Sequence, residues 1–84
     1  MQYIEEWSIP FDRINDFFRC GGIFTACGAN CFTYKTCEIT VTCLPDRQVG
    51  PLTFPRCRVE MSGGDDDVET VHKKFVLCFM SAGG

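Results

Sequence analysis

From Lys35 to Cys43 the chain alternates, with Lys35, Cys37, Ile39, Val41 and Cys43 on one parity and Thr36, Glu38, Thr40 and Thr42 on the other. Successive side chains of a strand point to opposite faces, so the pattern predicts a strand with one buried and one polar face. The cysteines keep step with Ile39 and Val41, where a fold takes small apolar groups. The expected use of Cys37 and Cys43, and of Cys57 and Cys78 further on, is therefore a thiol-lined core.

A chain of 84 residues has room for one domain, spanning 1–84. Such a domain buries only about 60–65% of its unfolded surface, so its stability is expected to be small unless something supplements the core. A self-associating or partner-covered face would do so, which makes a homo-oligomer one expectation. The net charge of −3 argues against direct nucleic-acid binding, which calls for a basic stripe that displaces counterions. No run approaches the roughly 20 apolar residues of a membrane span. Met1 to Glu6 carries Glu5 and Glu6 and no basic residue, unlike a signal peptide. With seven cysteines, an odd number, a reducing cytoplasm is the expected compartment.

Gln2 to Trp7 alternates and reads as a short strand, residues 2–7. Ser8 offers an N-cap, and Pro10 suits a first helical turn. Phe11, Ile14, Phe17 and Phe18 then recur at helical spacing, with Asp12, Arg13, Asn15, Asp16 and Arg19 between them and Gly21-Gly22 as the stop. This predicts an amphipathic helix over residues 9–20. Gly28-Ala29-Asn30 between β-prone runs reads as a tight hairpin loop. Pro45 to Pro51 reads as a loop. Alternation returns from Leu52 to Met61, with Cys57, Val59 and Met61 on one face, and Pro55 marks an edge or a bulge. Ser62 to Asp67 reads as an exposed turn, Val68 to Met80 as a last strand, and 81–84 as a tail. The expected architecture is α+β: one amphipathic N-terminal helix packed on a three- to four-stranded antiparallel β-meander, the strands drawn from residues 23–80.

Cys27-x-x-x-Cys31 is the best metal knuckle. Zinc needs a second pair, which here must come from Cys20, Cys37 or His72, and no second knuckle exists. Zinc is thus the one cofactor the chain suggests, with Cys20, Cys27, Cys31 and His72 as its candidate ligands. The competing reading is a hairpin whose flanking cysteines are neighbours by geometry and close a disulfide on oxidation. Catalysis is not expected, because His72 is the sole histidine and no third group orients a Cys–His pair. Asp65, Asp66 and Asp67, with Glu69 close by, concentrate negative charge. They read either as a solubilising loop tip or as a patch aimed at a basic groove on another protein.

As a class, compact acidic domains without an evident catalytic group resemble small phage and mobile-element proteins that block host machines. That resemblance implies a non-enzymatic binding protein of the anti-CRISPR type, occluding a protein or protein–nucleic acid complex in the host cytoplasm. Its expected contacts are Asp65, Asp66, Asp67 and Glu69 with exposed aromatics such as Tyr3, Trp7 or Tyr34, since aromatic anchors dominate many interfaces. The alternatives are a zinc-dependent assembly module using Cys27 and Cys31, a thiol-based redox enzyme, and a disulfide-bonded secreted effector.

Overall fold

The computed structural model describes residues 1–82. Along the chain come β1 (Gln2–Trp7), α1 (Phe11–Cys20), β2 (Thr25–Ala26), β3 (Cys31–Tyr34), β4 (Cys37–Val49), β5 (Leu52–Ser62) and α2 (Asp65–Ala82). The strands form one antiparallel sheet in the order β1-β5-β4-β3-β2. The α+β class and the antiparallel meander are therefore as expected, but the sheet has five strands instead of three or four, and the longer of two helices is C-terminal. The terminal glycines lie outside the described residues.

The largest correction is at the C-terminus, where residues 65–82 form a helix and no strand. Val68, Val71, Phe75 and Phe79 are spaced three, four and four apart, which places them on one helical face. The first three of these are fully buried. Asp65, Asp66 and Asp67 are the first turn of this helix, where carboxylates offset the positive end of the macrodipole. The continuous apolar run Phe75–Met80 fits both periods, which is why alternation misleads there. Ser81 and Ala82 belong to the helix and not to a tail.

α1 starts at Phe11, two residues later than expected. Pro10 is its N-cap residue and no side chain caps it; the carbonyl of Pro10 accepts from the amides of Arg13 and Ile14, and Ser8 has no capping role. The long alternating run also begins later. Tyr34 pairs with Cys37 across a two-residue turn in which Lys35 takes φ +51°, so Lys35 and Thr36 are turn residues, not strand residues.

One face of the sheet is covered by both helices. Cys37, Ile39 and Val41 of β4, Cys57, Val59 and Met61 of β5, and Phe32 of β3 meet Ile14 and Phe18 of α1 and Val68, Val71 and Phe75 of α2 in a single core. Phe18 stacks between Phe32, with centroids 5.4 Å apart, and Phe75, at 5.8 Å. Burial of each such ring contributes about 1.5–3 kcal/mol. The opposite face is polar and uncovered, carrying Glu6, Arg58 and Thr42 in one row across three strands.

The segment expected to be a loop, Pro45 to Pro51, is largely strand. β4 and β5 outrun their neighbours: β1 pairs only with Cys57–Ser62, and β3 only with Cys37–Thr40. Leu44 to Arg56 thus forms a two-stranded arm with no strand beside it among the described residues. At its base the register steps from Leu44↔Arg56 to Arg47↔Phe54, so that Pro45 and Asp46 oppose Pro55 in a bulge. Its tip is the two-residue turn Gly50-Pro51, with Gly50 at φ +59°. Glycine at the first central position and a ring-locked negative φ after it suit a II′ hairpin turn. The arm accounts for the elongation of the molecule, 42 × 28 × 23 Å.

Candidate functional site

The acidic residues singled out in the sequence converge with a turn at one end of the sheet. Thr36 Oγ1 donates to Asp67 Oδ2 at 2.6 Å, and the Thr36 amide donates to the same oxygen at 3.0 Å. Thr36 Oγ1 in turn accepts from the Gly64 amide at 3.0 Å. A turn residue distant in sequence therefore helps satisfy the start of α2, where backbone amides lack intrahelical partners. Asp65 is also engaged, its carboxylate 3.2 Å from the amino group of Met1. Among the described residues, no hydrogen bond or ion pair engages the side chains of Asp66 and Glu69. Thr36, Gly64, Asp65, Asp66 and Asp67 line an open depression.

The hydrogen bonds from Thr36, side chain first and then amide, hold the Asp67 carboxyl below its ordinary value. A carboxyl lowered in the folded state stabilises the fold above the unfolded carboxyl range, and this is lost as pH falls through the folded value. Thr36→Val, which keeps the amide and loses the hydroxyl, is expected to lower Tm at neutral pH and to flatten its fall below pH ~4. Parallel Tm–pH curves for variant and parent would contradict that role.

The aromatic candidates are not exposed anchors. Trp7, Tyr34 and Tyr3 are all partly buried and packed on the core. Trp7 meets Phe75 edge-on at 5.1 Å, and Tyr34 packs near Phe24 with the Lys35 ammonium 5.4 Å from its ring. Tyr3 stacks on His72 at 3.9 Å with the rings 9° from parallel. His72 lies on α2, not on a strand, and its Nε2 is 2.8 Å from Glu5 Oε1.

The cysteines divide by the layer they occupy. Cys27 and Cys31 are joined by a disulfide across the β2–β3 hairpin, the closure that the tight hairpin allows. Cys37 and Cys57 are buried, and burial pushes both thiols up, as expected of core groups. Cys43 and Cys78 are exposed, against expectation: Cys43 lies where the sheet runs out from under the helices, and Cys78 is outside the buried stripe of α2. Cys20 and His72 are not brought to the Cys27–Cys31 pair, and among the described residues no three His, Cys, Asp or Glu side chains form a metal-holding group. No described helix is long and apolar enough to cross a membrane.

The surface that sequence reading missed is the arm. Register places Val49 opposite Leu52 and Arg47 opposite Phe54; alternation then puts all four on one face, with Gln48 and Thr53 on the other. Val49 is 50% exposed, Leu52 57% and Phe54 39%. Contiguous apolar side chains on a projecting element mark an interaction surface more often than scattered ones do. The available signal was Val49, Leu52 and Phe54 around a Gly-Pro turn, obscured by the three prolines between Pro45 and Pro55.

Neither the protein-family models nor the curated protein sequences contain a match to this chain.

Proposed function

We propose that this chain is a non-enzymatic binding protein that occludes a protein partner, and that the β4–β5 arm is its main contact. The observation that carries this is the apolar face Val49, Leu52 and Phe54, held out from the domain on a hairpin that no strand of the described residues flanks. Pro45 and Pro55 lack amide donors and interrupt both edges at the arm's base, which disfavours recognition by strand addition. The arm therefore docks by its face. Its charged groups are Arg47 and Arg56 against Asp46, while the acids of α2 lie at the start of β4, the far end of the sheet. The occupant that fits is a protein with an apolar groove and an acidic rim, entered by the arm tip with Arg47 beside it.

The test is capture of binding partners by the tagged protein and by a variant carrying Val49→Thr, Leu52→Thr and Phe54→Thr. The variant is expected to lose capture by at least tenfold while its circular dichroism and Tm match the parent. Undiminished capture would sink the reading.

A second reading has its own support. Asp66 and Glu69 keep unengaged carboxylates on an acidic helix start, as an inhibitor of a nucleic-acid-handling complex of the anti-CRISPR type would need. It predicts that Asp66→Lys with Glu69→Lys abolishes capture and that the arm variant does not. Asp65 and Asp67 suit that role less, since both already hold the α2 start in place.

A further inference from the structure

Cys43 and Cys57 face each other directly across β4 and β5, separated from the bulge at the base of the arm by the Leu44↔Arg56 pair. Directly opposed residues share a face. Their Cα atoms lie about 4.5 or 5.5 Å apart, depending on whether the pair is hydrogen-bonded; either separation falls within the roughly 4.4–6.8 Å range of disulfides. The two thiols differ in access. Cys43 is exposed and Cys57 buried, the latter with Sγ donating to the Ile9 carbonyl at 3.2 Å. An accessible thiol beside a sheltered one is the arrangement of an attacking and a resolving cysteine.

We propose that Cys43 and Cys57 form a thiol–disulfide exchange site whose substrate is a low-molecular-weight disulfide of the glutathione class. The Cys43 thiolate attacks one sulfur of the glutathione disulfide. The S–S bond breaks, a mixed disulfide forms on Cys43, and the first glutathione thiolate leaves. Cys57 passes its proton to that thiolate, and its sulfur attacks the Cys43 sulfur. The second glutathione leaves and takes up the proton that Cys43 lost on ionising. Two protein thiols are oxidised to one disulfide and one glutathione disulfide is reduced to two thiols, so that electrons and protons balance. The bond formed would tie β4 to β5 at the root of the arm. This stands independently of what the arm binds.

The test starts from the reduced protein carrying Cys20→Ser, Cys27→Ser, Cys31→Ser and Cys78→Ser, which removes the disulfide pair and the other exposed free thiols. It is incubated with glutathione disulfide, quenched in acid, denatured and alkylated, and read by intact mass and peptide mapping. The expected product has Cys43 linked to Cys57 with no glutathione retained. Adding Cys57→Ser should instead leave one glutathione on Cys43. Glutathione retained on Cys43 of the starting protein, or both thiols recovered alkylated, would overturn the proposal. That measurement is made on the starting protein, so it decides the matter whether or not the Cys57→Ser protein folds.

Discussion

Gly63→Ala is expected to remove about 3 kcal/mol or more of folding stability, combining backbone strain with a backbone collision. Gly63 sits at φ +145°, outside the conformations open to other residues. A Cβ built there would collide with the carbonyl oxygen of Thr36 and lie 2.9 Å from Cα of Cys37. Neither atom belongs to a flexible side chain, so the β3–β4 turn itself must move. That turn carries the hydroxyl joining Gly64 to Asp67, so the start of α2 is disturbed as well. A domain this size is stable by on the order of 4–12 kcal/mol, at about 0.05–0.15 kcal/mol per residue, and the loss is a large share of that. Gly50→Ala is the control: its φ is also positive, at +59°, but nothing lies within 4 Å of the added carbon, and about 1 kcal/mol is expected. Urea denaturation of both variants tests the difference. Equal midpoints would show that the approach of Gly63 to Thr36 does not matter.

Phe75→Ala should cost about 3–5 kcal/mol, the range for emptying an aromatic site in a core. The ring is fully buried. It stacks on Phe18 and meets Trp7, Phe17 and Phe79, so it joins α1, α2 and β1. Removing it leaves a cavity among groups already fixed by the sheet. Phe54→Ala, on the exposed arm, is expected to change stability by no more than about 0.5 kcal/mol. A similar Tm loss for the two would mean that the arm is packed in solution.

How much of this was legible beforehand differs by element. α1 could be read because its apolar residues repeat at 3.6 and two glycines end it, the second at φ +77°. Cys27 and Cys31 were neighbours by hairpin geometry alone. α2 reads as a strand in sequence, although Val68, Val71, Phe75 and Phe79 carry a helical period, because the run Phe75–Met80 satisfies any period. The acids before it looked like a turn for the same reason, since a carboxylate cluster suits a loop tip as well as a helix start.

The candidate surfaces divide the same way. Trp7, Tyr34 and Tyr3 read as exposed in the sequence, because aromatic residues carry no sign of which layer will cover them. Here two helices lie over the face to which Trp7 and Tyr34 belong. Pro45 to Pro51 reads as a loop in sequence because its prolines break strand patterns, whereas two prolines placed at one bulge leave the flanking pairs intact.

The local elements with one dominant period, α1, the Cys37–Cys43 part of β4 and the Leu52–Met61 run of β5, follow from the sequence by itself, as does the pairing of successive strands joined by short connections. Periodicity is a property of neighbouring residues, so it needs no knowledge of the rest of the fold. Tertiary structure alone decided that the last segment is a helix, that β1 closes the far edge beside β5, and that the arm stands clear of both helices. Each of these depends on which surfaces remain to be covered once the sheet has formed, and burial of that kind is shared among residues far apart in the chain.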